Sequence, residues 1–130
     1  MIIDTNIYTA IRRGDTAVTQ ILTAADVIHV PIPVIAELKK GFSLGSLKDR
    51  NDQELSSFLS RDNSIILDCT IETTGHHAVV SAYAQKMGRS LSHNDLWIAA
   101  LAIQNNLPLL TLNKDFEAIL ELLPAGSLVL

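Results

Sequence analysis

The stretch Ile2-Ile3-Asp4-Thr5-Asn6 decides how this chain is read. A short β-branched run closes on Asp-Thr-Asn, which is the signal for a helix start. Residues 5–12 then read as a short helix that Gly14 breaks, and Asp15 or Thr16 caps a second helix to about Ala24. The same grammar repeats outward along the chain. Val27–Val30 is strand-like, and Pro31 and Pro33 mark a turn and the first turn of a helix to about Phe42. Asp49 or Asn51 opens a helix to about Ser60, and Ile65–Leu67 is strand-like towards Cys69. Thr70 or Glu72 starts a helix to Met87, which Gly88 stops. Ser92 starts a helix so rich in Leu, Ile and Ala that it must be largely buried, ending at Asn105-Asn106. Leu107–Leu112 reads as strand, Asn113 opens a short helix, and Leu128–Leu130 is a final strand. Strands alternating with helices predict an α/β domain with a mostly parallel sheet. In such sheets ligands sit beyond the carboxyl ends of the strands, where strand order reverses. Acidic residues just after strands are therefore the ones to inspect.

Composition narrows the classes. The chain has 130 residues, 48% of them hydrophobic, which suffices for a real core and excludes a disordered linker. No apolar run approaches the roughly 20 residues of a membrane span. The start Met1-Ile2-Ile3 lacks the marks of a signal peptide, so a cytoplasmic location is expected. One cysteine, Cys69, allows no internal disulfide and reads as a buried small hydrophobe. The net charge of −4 argues against a broad basic surface for duplex nucleic acid, though not against a site that meets phosphate through cations.

Four acids stand out. Asp4 ends the first strand, where it is also a good helix cap. Glu37 lies at the edge of the apolar face formed by Val34, Ile35, Leu38 and Phe42, with Lys40 within reach for a surface pair. Asp95 closes Ser92-His93-Asn94-Asp95, at capping-box spacing, on the first turn of the apolar helix. Asp115 follows the strand ending at Thr111, with Asn113 as a cap. Each has an ordinary structural role when taken alone. Gathered within about 5 Å, their repulsion costs on the order of 3 kcal/mol per pair at an effective dielectric near 20. Such a cluster protonates in part or binds cations, and oxygen-only ligands suit Mg²⁺ or Mn²⁺, as one or two ions. Bound cations activate water and stabilise the leaving oxygen of a phosphodiester. No Cys/His set has zinc spacing, and no Gly-rich phosphate loop follows the first strand. His76 and His77, adjacent on one helix, read as surface residues, as does His93. Arg12, Arg13, Lys39, Lys40, Arg89 and Lys114 read mostly as solvated surface charges, and those near the edge of such a site are candidates for contact with phosphate.

At these residues the sequence resembles the PIN-domain family and, within it, the VapC-type toxin ribonucleases of toxin–antitoxin systems. The resemblance rests on Asp4-Thr5-Asn6, on Pro31-Ile32-Pro33-Val34-Ile35-Ala36-Glu37-Leu38 with Gly41, on Asn94-Asp95-Leu96-Trp97-Ile98-Ala99-Ala100, and on Thr111-Leu112-Asn113-Lys114-Asp115-Phe116. It implies a single PIN domain over residues 1–130, a three-layer fold with a central parallel sheet of order 3-2-1-4-5 flanked by helices. It implies a Mg²⁺- or Mn²⁺-dependent endoribonuclease that cleaves single-stranded or loop RNA (transfer, ribosomal or messenger), a homodimer, and a small antitoxin that blocks the site. Asp4, Glu37 and Asp95 match the family's acidic metal-binding positions. Where the family often has an acid two residues after the threonine of the last motif, this chain has Asn113. The fourth acid is then Asp115, or the site has three. Thr5, Asn6, Thr111 and Asn113 would orient carboxylates or waters. The rival readings are a phosphatase or phosphotransfer domain with a nucleophilic aspartate after the first strand, and a PIN-like module that binds RNA or protein without cutting. The first lacks the second acid of an Asp-x-Asp pair, since residue 6 is Asn6.

Overall fold

The computed structural model describes residues 1–130. Strand β1 (Ile2–Ile3) leads into α1 (Thr5–Arg12) and α2 (Thr16–Thr23), then β2 (Ile28–Pro31), α3 (Ile32–Ser43) and α4 (Lys48–Leu59). Strand β3 (Ser64–Leu67), α5 (Ile71–Lys86), α6 (His93–Asn105), β4 (Leu109–Thr111), a 3-10 helix (Lys114–Leu122) and β5 (Leu128–Val129) complete the chain. The five strands form one parallel sheet in the order β3-β2-β1-β4-β5, as expected. Strand β1 is therefore central, and the chain runs outward from it on one side before returning to the other. The topological switch lies between the carboxyl ends of β1 and β4, where Asp4 and Thr111 stand.

The caps follow the sequence signals. Asp4, Asp15, Ser92 and Asn113 each accept a backbone N–H at the start of the next helix. Helix α6 ends at Asn106, whose φ of 49° places it in the left-handed region that asparagine tolerates. Strands come out shorter than their apolar runs: residues 107–108 and 112 lie outside β4, and β2 begins at Ile28. The segment after Asn113 is 3-10 rather than α-helical.

The central strands are sealed, with Ile2, Ile3, Val30, Leu109 and Leu110 all fully buried. One core cluster joins them to the helices, including Ile98, Ala99, Leu101 and Ala102 of α6, Phe116 of the 3-10 helix, and Tyr8 of α1 set edge-on to Phe58 of α4 at 5.3 Å. Edge strand β3 differs: Ile65 and Ile66 are each 45% exposed. Cys69 corrects an expectation. It is exposed, because it lies past β3 in the connection to α5, outside both helix layers. His77 is a second departure: it packs 4.4 Å from the Trp97 ring, with Nε2 shielded and unpartnered, since α5 and α6 press together there. No helix is long and apolar enough to cross a membrane.

Candidate active site

The first residue after β1 has nowhere to turn but into the sheet's carboxyl edge. The Asp4 amide is tied to the Leu110 carbonyl of β4, and its side chain is only 3% exposed. Three donors meet the carboxylate. The Thr5 amide donates to Oδ1 at 2.7 Å, while the Thr111 hydroxyl at 2.7 Å and Asn6 Nδ2 at 3.0 Å both donate to Oδ2. The fully buried Thr111 hydroxyl in turn accepts from the Asn113 amide at 2.9 Å and from Asn6 Nδ2 at 3.3 Å. Asn6 Oδ1 accepts from the Leu112 amide at 2.9 Å, closing a network between α1 and the loop after β4. Thr5 serves through its backbone alone, and its own hydroxyl is buried without a partner.

Asp95 stands on the first turn of α6, where its amide donates to Ser92 Oγ at 3.1 Å. Its Oδ2 accepts from Asn113 Nδ2 at 3.3 Å. Asn113 thus touches both halves of the site: its amide reaches the hydroxyl that holds Asp4, and its side chain reaches Asp95. Glu37 is exposed on α3, and its Oε2 accepts from Asn94 Nδ2 at 2.9 Å. No ion pair joins it to Lys40. Asn94 was not singled out from sequence. Its only signal was adjacency to Asp95 at a helix start.

Electrostatics joins three of the four acids. Burial pushes the Asp4 carboxyl above the ordinary aspartate range, and the Glu37 charge adds to the rise, while the bonds from Thr111, Thr5 and Asn6 pull the other way. Burial likewise raises Asp95, opposed by Ser92 and reinforced by the charges of Asp4 and Glu37. Asp115 is exposed at the start of the 3-10 helix, where its amide caps on Asn113 Oδ1 at 3.0 Å. The Asp115 charge is not among the causes of the Asp4 or Asp95 shift.

The donor set is all oxygen and amide, with two acids that resist ionisation in the absence of positive charge. No three carboxylate or imidazole groups converge as a closed cage. A cation such as Mg²⁺ keeps several waters and needs only one or two carboxylates, so these residues fit a hard divalent ion without such a cage. Asp4 and Asp95 could supply those carboxylates, with Glu37 as the charged neighbour of both. His93 and His77 lie with parallel rings 6.5 Å apart where α5 meets α6. A cleft of about 490 Å³ borders the acids through Asn6 and Leu112.

Known proteins of the same fold identify the family. The PIN domain family model matches residues 1–121. The chain is 33% identical over 101 residues to the Ribonuclease VapC2 of Rickettsia felis, covering 77% of this chain and 74% of that protein. It is 31% identical over 123 residues to the Ribonuclease VapC2 of Haemophilus influenzae, covering 92% of each. Among solved structures, VapBC2 from Rickettsia felis bound to a DNA fragment from its promoter superposes with a TM-score of 0.81 at 29% identity, over 95% of this chain and 94% of that one. The match runs from β1 through the 3-10 helix and takes in each acid of the site, and on it the chain belongs to the PIN domain family, as one of its VapC-type members.

Proposed function

We propose that this chain is a divalent-metal-dependent endoribonuclease, the toxin of a toxin–antitoxin pair, cutting single-stranded or loop RNA as one PIN domain over residues 1–130. The observation that carries the reading is Asp4. It is a carboxylate 3% exposed, held by three donors, with Asp95 and Glu37 as its like-charged neighbours at the sheet's switch point. A structural cap has no use for neighbouring acids, one of which, Glu37, raises its proton affinity. A cation site does, because the charge that repels in the bare protein attracts Mg²⁺ or Mn²⁺.

A bound divalent ion supplies the positive charge that activates water and stabilises the leaving oxygen of the phosphodiester. The chain's own residues hold the charge that receives it. Thr111, Asn6 and the Thr5 amide fix the plane of the Asp4 carboxylate. Asn113 fixes Asp95, whose negative charge also sits at the favourable end of α6. Asn94 fixes Glu37. Asp115, exposed two residues past Asn113, is proposed as a fourth, outer acid. These positions need no side chain to act as a dedicated base.

The named relatives are ribonucleases, and the superposed VapBC2 structure carries its partner. By that likeness a small antitoxin is proposed to cover the acids of this chain, encoded by a short neighbouring gene. A cytoplasmic homodimer is proposed on the same footing. The test is cleavage of total cellular RNA with and without Mn²⁺, mapped by 5′-end sequencing, with Asp95→Asn as control. Sites that appear only with metal and only in the wild type support the reading. RNA binding without any cleavage in Mg²⁺ or Mn²⁺ replaces it with a non-catalytic binding module.

A further inference from the structure

The cleft beside the acids has one wall made by a single face of α1. Asn6, Thr9, Ala10 and Arg13 line it, at the spacing that places residues on one side of a helix, with Gly14 and Asp15 at one end and Leu112 opposite. Asn6 is the residue that donates to Asp4, and the Leu112 amide donates to Asn6. The inner end of the cleft is therefore the rim of the acid cluster. Arg13 stands at the outer end, two helical turns and about 10 Å along the axis from Asn6.

Arg13 is the only lysine or arginine in that lining. It is exposed and pairs with no carboxylate, whereas its neighbour Arg12 is bound to Glu54 at 2.8 Å. Asp15, the acid of the same cleft, is occupied in part as the cap of α2, with Oδ1 accepting from Val18. The cleft lining also includes Ala10 and, opposite α1, the 37%-exposed Leu112. A charged fork at one end, an apolar lining, and acids suited to a cation at the other match a phosphate, a nucleoside and the next phosphate. The geometry points to this cleft as the subsite for the nucleotide flanking the cut, with Arg13 holding an RNA phosphate further along the strand than the one at the acids. The inference deepens the nuclease reading and rests on it for the identity of the ligand. In a chain of net charge −4 with acids at its centre, a free cation beside the site also offsets repulsion of the substrate.

The test compares wild type, Arg13→Ala, Arg13→Lys and, as a remote control, Lys86→Ala. Binding of a fluorescent single-stranded RNA is measured over a salt series in Ca²⁺, and cleavage in Mn²⁺. Loss of one phosphate contact lowers the slope of log K against log salt by about 0.7 in Arg13→Ala, and weakens binding severalfold near 0.1 M salt. In cleavage KM rises by the same factor and kcat holds, because the contact is remote from the reacting atoms. Arg13→Lys keeps the slope, and Lys86→Ala leaves both readouts unchanged. Shortening the RNA one nucleotide at a time abolishes the difference once the flanking phosphate is gone. An unaltered slope and KM in Arg13→Ala overturns the assignment even if the wild type cleaves. A slope that falls in Arg13→Ala while the wild type never cleaves keeps Arg13 as a phosphate contact but overturns the nuclease and, with it, a subsite beside a cut. Absence of RNA binding by the wild type overturns both.

Discussion

Asp4 carries two jobs in one carboxylate: it caps α1 and it forms the buried floor of the acid cluster. Asp95 stands at the rim on the first turn of α6, whose cap is Ser92. Asp4→Asn and Asp95→Asn are each expected to lower RNA cleavage at least about 100-fold while far-ultraviolet circular dichroism stays native. Retained cleavage in either would remove that acid from the site. Asn94→Ala tests the tie to Glu37. Loss of one exposed hydrogen bond leaves the melting temperature nearly unchanged, and Mn²⁺ affinity, read by the free-ion electron paramagnetic resonance signal, falls about 10-fold, as expected for a group that orients a ligand. Undiminished affinity would reduce Asn94 to a surface contact. Asp4, Asp95 and Glu37 were visible in the sequence because capping grammar and apolar periodicity fix where they stand. Asn94 was not, because whether a residue beside an acid faces another helix depends on how α3 and α6 cross. Cys69 misled for a related reason: hydrophobic character predicts burial only where a layer covers the residue.

Element boundaries were legible where a side chain closes them. Asp15, Ser92 and Asn113 carry the cap bonds their positions announce. Ser92→Ala removes the cap of α6, the helix that supplies four residues buried to 1% or less in the main core, and is expected to cost about 1 kcal/mol, lowering the melting temperature by about 3–6 °C in a thermal scan. Cleavage should fall far less than in Asp95→Asn, since the carboxylate itself remains. The ends of the strands were less legible. Leu107, Pro108 and Leu112 have strand-like character, but pairing stops where β1 and β5 offer no further partner. The 3-10 geometry after Asn113 was hidden altogether, because its apolar spacing suits either helix and the choice is made by packing Phe116 and Ile119 into the core.

The whole molecule links protonation, metal and stability. In the bare protein Asp4 and Asp95 bind protons more tightly than they do in the unfolded chain. Their contribution to stability is therefore present below the ordinary aspartate range and is lost as pH rises through their elevated folded values. Thermal unfolding in EDTA should show stability falling across that window, less steeply in Asp95→Asn than in wild type. Mg²⁺ at 100 times its dissociation constant should add about 2.7 kcal/mol at neutral pH, and less in acid, where protons compete. A pH profile identical with and without Mg²⁺ would argue against a shared site. The parallel α/β character was readable from alternating strands and helices, whereas the sheet order was carried by the family resemblance alone. Cleft shape was not, since it depends on how α1 faces the loop after β4.

The unequal anchoring of the acids has a consequence for how such a chain decays over generations. Glu37 hangs in solvent on a single amide, whereas Asp4 is stitched into α1, β4 and the loop beyond. A lineage released from selection for cutting can discard the first with little harm to folding and the second only by loosening its central seam. Silent descendants should therefore keep the aspartate and vary the glutamate, and a census of inactive copies in which the aspartate goes first would contradict this.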